Sequence, residues 1–170
     1  MSASISPLLS HLLVELPKAT LSALAETELW VEETRYAIVA VPSEEKGALF
    51  SALGDAAVLI TIDDGDEFTI VISEEDLDAL PPLFSQRYQV EHRYRFIRLE
   101  ATLPWDVVGY GAAVFTALAG VGVSAGFYSG YSIDYLLVNE SVVKKATGAL
   151  EALFREARRL EQAATRKKVR

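Results

Sequence analysis

Two rhythms of apolar and polar residues alternate along this chain, and their order is the first structural signal. In the second half, YRFIRLEA (94–101) sets Tyr94, Phe96, Ile97 and Leu99 against charges, the pattern of a strand with one wet face. LPWD (103–106) then leads into VVGYGAAVFTALAG, a run of small and apolar residues that predicts a helix ending at Gly120. VGVSAGFY (121–128) and YSIDYLLV (131–138) read as strands joined through Ser129-Gly130. After Asn139 and Ser141, both good N-caps, Val143, Ala146, Leu150, Leu153, Ala157 and Leu160 keep helical spacing. The order is strand, helix, strand, strand, helix, a split βαβ pattern.

The first half repeats this order in weaker form. HLLVELP (11–17) and RYAIVAVP (35–42) read as strands, and EEKGALFSALG (44–54) as a short helix. AVLITIDDGDEFTIVI (57–72) is a strand, a turn at Asp64-Gly65 and a second strand. EEDLDAL (74–80) is a short helix stopped by Pro81-Pro82, which sets a boundary near residues 81–90. The expected fold is α+β with two ferredoxin-like (βαββαβ) units. They divide as residues 1–85, residues 86–160 and a basic tail at 161–170. Neither half shows its own closing strand, so strands are expected to be exchanged between halves or between chains.

Composition narrows the function. Half of the 170 residues are apolar, enough for a packed interior, and there is no cysteine for disulfides or thiolate metal sites. The N-terminus lacks a basic region and its apolar run is broken by His11, Glu15 and Pro17, so a signal peptide is not expected. No stretch has the length to span a bilayer, and a cytoplasmic protein without membrane contact is expected. The net charge of −8 is uneven. Residues 155–170 hold seven Lys or Arg against Glu156 and Glu161, a net of +5 that leaves −13 on the rest. Such a body repels nucleic acid. Beyond Leu160 the apolar stripe ends, which leaves Glu161, Gln162, Arg166, Lys167 and Lys168 in water.

The residues D-x-x-G at Asp106 to Gly109, the helix that follows and GVSAGFYSGYSIDYLLV (122–138) resemble the ACT-domain family of small ligand-sensing modules. Within it they resemble the tandem-ACT group that includes the CASTOR-type cytosolic arginine sensors. The order Leu29-Trp30, hairpin, then EEDLDALPP (74–82) is similar to the family's N-terminal segment, so the resemblance spans roughly residues 9–155. Two features depart from it: Ser129-Gly130-Tyr131 replaces the family's Ser-Thr-Tyr, losing a hydroxyl, and the basic C-terminal helix lies outside the pattern. The resemblance implies ACT-like units, a homodimer and a regulatory rather than catalytic role. It also implies a free amino acid, arginine or another, bound between modules at one helix start and one hairpin. The residues it points to are Asp106, Val107, Val108, Gly109, Ser129, Gly130, Tyr131, Ser132 and Asp134. No cofactor or metal is implied, and a protein partner remains open.

The residue chemistry agrees. Val108-Gly109-Tyr110-Gly111 is a glycine-rich helix start whose free N–H groups suit an α-carboxylate. Asp134, in a segment otherwise fit for burial, suits an ammonium or guanidinium, with Ser132 on the same strand face. The structural alternatives are a pair between Asp134 and Arg93, Arg95 or Arg98, and tight helix packing at the two glycines. A dinucleotide loop does not fit, since Val114 stands at the third glycine position. Asp63-Asp64-Gly65-Asp66 lacks the ligand spacing of a calcium loop and reads as an exposed turn. His11 and His92 read as strand-edge residues, and Phe127, Tyr128, Tyr131 and Tyr135 chiefly as core. Two alternatives to sensing stay open: an ACT-like interaction module without ligand, and a small enzyme in the 106–134 cleft, for which no nucleophile or base is evident.

Overall fold

A computed structural model of the chain describes residues 5–54, 58–80 and 88–168. The fold is α+β, with two compact units. One is Glu32–Phe96, and the other combines Met1–Val31 with Ile97–Arg170. The division expected from the sequence, 1–85 and 86–160, therefore does not match the packing. The first thirty-one residues join the C-terminal half because they carry the apolar surface it needs. The expected boundary prolines, Pro81 and Pro82, lie outside the described residues.

The N-terminal segment is helical where a strand was expected. Helix α1 (Pro7–Glu15) starts at Ser6, whose hydroxyl accepts from the Leu9 N–H at 3.2 Å, with Pro7 in the first turn. Leu9 and Leu13, four apart, are buried, so the run 11–17 obeys helical and not strand periodicity. His11 thus sits on a helix. Pro17 separates α1 from α2 (Lys18–Glu26), a helix the sequence pattern did not disclose. Strand β1 (Glu28–Val31) follows.

In the Glu32–Phe96 unit the expected elements are present. Strand β2 (Tyr36–Pro42) leads through a 3-10 turn (Ser43–Glu45) to α3 (Lys46–Leu53). Strands β3 (Val58–Asp63) and β4 (Glu67–Ser73) form the hairpin, and α4 (Glu74–Asp78) follows, capped by the Ser73 hydroxyl. Strand β5 (Gln89–Glu100) gives its first part, to Phe96, to this unit. The order is β3-β4-β2-β5, and Val39, Val41, Leu49, Ile70 and Ile72 fill the core. The acidic turn is exposed and self-contained. Asp64 Oδ1 accepts from the Asp66 and Glu67 N–H groups, and Asp63 takes Lys46 Nζ at 2.6 Å. Among the described residues no group of His, Cys, Asp or Glu is arranged to hold a metal.

The other unit uses the rest of β5, then α5 (Tyr110–Ala119), β6 (Gly126–Ser129), β7 (Asp134–Asn139), a 3-10 turn (Glu140–Val142) and α6 (Val143–Lys168). Its order is β1-β5-β7-β6, with β1 antiparallel to β5 through Leu29↔Leu99 and Val31↔Ile97. The closing strand of the C-terminal unit is therefore supplied by the N-terminal segment, and that of the 32–96 unit by the start of β5. Strand exchange between halves, expected as one of two options, is observed. Leu9, Leu13, Leu24, Ile97, Leu99, Val114, Leu136, Leu150 and Phe154 lie together in one core.

Both hairpin strands start later than expected. Strand β6 begins at Gly126 rather than Val121 because residues 121–123 close the helix. Gly122 takes φ 64°, and the Val121 and Val123 N–H groups both donate to the Leu118 carbonyl. Strand β7 begins at Asp134. Helix α6 continues to Lys168, and Glu161 accepts a hydrogen bond from the Ser22 hydroxyl instead of facing water alone. No helix among the described residues is long and apolar enough to cross a membrane.

Candidate functional site

A pocket of about 190 Å³ opens in the C-terminal unit between the start of α5 and the β6–β7 hairpin. Its apolar wall is Leu103, Pro104, Trp105, Val107, Phe127 and Ile133. Its polar wall is Tyr110, Ser129, Tyr131, Ser132 and Asp134, with Gly111 and Gly130 contributing only backbone. This is below the roughly 300–1,000 Å³ of drug-sized sites and suits a small metabolite.

The hairpin brings Asp134 into the pocket. Ser129 and Asp134 are cross-strand neighbours in the β6–β7 pair, and the Ser129 hydroxyl donates to the Asp134 carboxylate. Burial raises the Asp134 pKa above the ordinary carboxylate range, and the Ser129 bond opposes that shift. Among the described residues no arginine forms an ion pair with it. Arg98 is bonded to Glu100 at 2.7 Å. Arg95 donates to the Glu32 carbonyl at 3.0 Å and to that of Glu33, and the Arg93 N–H donates to Glu74. The paired alternative for Asp134 is thereby removed. Gly130 closes the turn, its N–H donating to the Ile133 carbonyl at 3.0 Å. A Cβ there would stand 2.7 Å from that oxygen, so the missing threonine hydroxyl reflects a backbone that admits no side chain.

The start of α5 forms the other part of the site. Gly109, its N-cap residue, has φ 93° and supplies no side-chain cap. The first intrahelical bond is Ala113 N–H to the Gly109 carbonyl, so the N–H groups of Tyr110, Gly111 and Ala112 precede the helical ladder. A Cβ on Gly109 would meet Leu16 Cδ2 at 2.8 Å, so both the positive φ and the close approach require glycine. The pocket therefore joins a carboxylate that has no basic partner among the described residues to an uncapped helix N-terminus.

Of the residues singled out from the sequence, Val107, Ser129, Gly130, Tyr131, Ser132 and Asp134 line the pocket. Asp106, Val108 and Gly109 do not. Asp106 is exposed in the turn that the Val107 N–H closes on the Pro104 carbonyl. Val108 is 69% exposed, and its carbonyl accepts from the Thr20 hydroxyl at 2.7 Å. Gly109 shapes the entry to α5 without lining the cavity.

Sequence reasoning missed Leu103, Pro104, Trp105, Tyr110 and Ile133 among the lining residues, and missed the support that the N-terminal segment gives Tyr110. Tyr110 is buried at the base of the pocket, with its hydroxyl 2.9 Å from Thr27 Oγ1. Thr27 gives its own proton to the Ala23 carbonyl at 2.7 Å, so the Tyr110 O–H is the donor in their bond. Burial pushes the phenol pKa far up, the Thr27 bond lowers it, and the Asp134 charge adds to the rise. Tyr110 is thus a neutral wall and not a base. Arg158 of α6 donates to the Ala25 carbonyl at 2.8 Å and the Thr27 carbonyl at 3.3 Å, fixing the segment that holds the phenol. A buried threonine after a cryptic helix offers no periodic signal, which is why it escaped notice.

Comparison with known proteins places this geometry. The ACT-domain family profile matches residues 89–152, less than half of the chain. None of the curated proteins compared with the chain matches it. A Vibrio cholerae protein of unknown function, described as a possible transport protein, is 21% identical with a TM-score of 0.62, over 80% of this chain and 95% of that one. The ligand-free regulatory subunit of aspartate kinase from Thermus thermophilus is 16% identical with a TM-score of 0.58, over 74% and 96%. Aspartate kinase from Clostridium acetobutylicum, an allosteric enzyme, is 14% identical with a TM-score of 0.65, over 75% of this chain. The chain spans only 34% of that enzyme. At these identities the likeness is one of fold.

The Thr27 anchor has a direct test. Thr27→Val keeps the shape but leaves the buried Tyr110 hydroxyl without its acceptor, and is expected to cost about 1–3 kcal/mol in urea unfolding. Thr27→Ser, which keeps the hydroxyl, should lose less. Equal losses for both variants would show that the methyl group and not the hydrogen bond matters.

Proposed function

We propose that this protein is a regulatory, non-enzymatic binder of a free amino acid, acting in the cytoplasm and passing occupancy on through contact with a second copy of itself. The observation that carries this reading is the pairing, in one small pocket, of Asp134, which has no basic partner among the described residues, and the uncapped start of α5. An amino acid carries an ammonium and a carboxylate a few ångströms apart. Asp134 suits the first, and the N–H groups of Tyr110, Gly111 and Ala112 suit the second. The ACT-domain match over residues 89–152 and the folds of aspartate kinase regulatory subunits support a sensing role. An enzyme finds less support, because the buried Tyr110 keeps its proton and, among the described lining residues, no histidine or lysine stands by to activate the Ser129 or Ser132 hydroxyl.

The mouth of the pocket favours coverage by a partner. Trp105 is 80% exposed and Tyr131 90% exposed, and both line it. Strand β1, which among the described strands pairs with β5 alone, exposes Trp30 and Val31 at a sheet edge. A homodimer is the simplest way to cover such surfaces. Sedimentation at micromolar concentration should give twice the 18.6 kDa chain mass, and a strict monomer would contradict the dimer.

A melting-temperature screen against the twenty amino acids tests binding, since a ligand at a hundred times its Kd stabilises by about 2.7 kcal/mol. Asp134→Asn should weaken the binding found by about 2 to 3 kcal/mol, roughly 30- to 150-fold. The pH dependence has two opposite signs. Because its folded pKa is raised, Asp134 favours the apo fold when protonated, and that contribution is lost as pH rises through the folded pKa. Binding of a cation needs the ionised form, so affinity should fall as pH drops through the same range. At neutral pH the Asn variant should fold at least as well as the parent. Lost stability with unchanged affinity would remove Asp134 from the site.

A further inference from the structure

We propose that the pocket selects an amino acid with a short, uncharged and apolar side chain. This rests on the amino-acid reading above and goes further by naming the side-chain class. Among the described lining residues, Asp134 is the sole carboxylate, and none is a lysine, arginine or histidine. If the ligand's ammonium takes it, nothing is left to balance a second charge. The rest of the wall carries no formal charge: Leu103, Pro104, Trp105, Val107, Phe127 and Ile133 are apolar, and the neutral hydroxyls of Tyr110, Ser129, Tyr131 and Ser132 complete it. Seating a lysine or arginine side chain there would strip water from a cation without a counter-ion. Trp105 does not compensate, because an indole open to water attracts a cation only weakly. An aspartate or glutamate side chain would bring a second carboxylate towards Asp134, and like charges in one site repel.

An aliphatic or small aromatic side chain meets none of these obstacles. Each methylene buried against Phe127 and Leu103 should raise affinity by about fourfold, until the pocket is full. Gly111 sets that limit. It lines the cavity, and a Cβ added there would meet nothing within 4 Å, so its missing side chain leaves room open. It also stands inside α5, where alanine is the better helix former. Gly111→Ala therefore removes room without threatening the fold.

Calorimetric titration of the full chain with leucine, valine, phenylalanine and alanine, beside arginine, lysine, aspartate and glutamate, tests the proposal. Leucine or valine should bind at least tenfold more tightly than any of the four charged amino acids. Gly111→Ala should melt no lower than the parent and weaken leucine more than alanine. Equal losses for leucine and alanine would overturn the assignment to Gly111. Arginine or lysine binding as tightly as leucine, with the binding lost in Asp134→Asn, would overturn the selectivity while leaving the amino-acid reading intact. Binding by none of the eight would overturn both.

Discussion

The N-terminal segment holds the pocket in shape. Leu16 packs where Gly109 has no side chain, Thr20 bonds the Val108 carbonyl, and Thr27 receives the Tyr110 hydroxyl. These contacts pin successive residues of the turn into α5. The same segment supplies β1 to the sheet and Leu9, Leu13 and Leu24 to the core. A loop held from behind by backbone and buried hydroxyl contacts is ordered beforehand, so binding of the proposed ligand would spend little energy on fixing it. Arg158 extends the support from α6, binding the carbonyls at the end of α2.

Electrostatics complement this scaffold. An aspartate at the start of a half-buried strand is poorly placed for stability, because β7 is otherwise built from Tyr135, Leu136, Leu137 and Val138. Ser129 across the hairpin offsets part of that cost. The exposed acidic turn of the other unit is a different matter. Its carboxylates bond Lys46, Ser43 and their own backbone, which makes them parts of a turn rather than a site. Charge density alone was a poor guide to chemistry in this chain, and one partly buried carboxylate counts for more than the exposed cluster.

The C-terminal repeat was legible because its periods are unbroken. Leu150, Leu153 and Ala157 follow one helical face, and Leu136 to Val138 form a run that only a strand explains. The fold class followed from them, whereas the hairpin side of the pocket came from the family resemblance of residues 122–138. The N-terminal segment was not legible, because LLSHLLVE satisfies either period over so short a span. Ser6 and Pro7, the capping pair that decides for a helix, stand outside the stretch that reads as a strand. Missing α2 then hid Thr20 and Thr27, and with them the support for Tyr110. Asp106 misled for a related reason. The family resemblance of Asp-x-x-Gly pointed to it, but Gly109 turns the chain and leaves Asp106 exposed outside the pocket.

The central claim is that one ligand spans the start of α5 and Asp134. It is tested most directly by nuclear magnetic resonance on labelled protein, titrated with the amino acid that most raises its melting temperature. The account predicts that the amide signals of Tyr110, Gly111 and Ala112 move as hydrogen bonds form to the ligand carboxylate. The Asp134 side-chain carboxyl should meanwhile titrate at lower pH in the complex than in the free protein. Saturating ligand that leaves those amides and the Asp134 titration unchanged would contradict it.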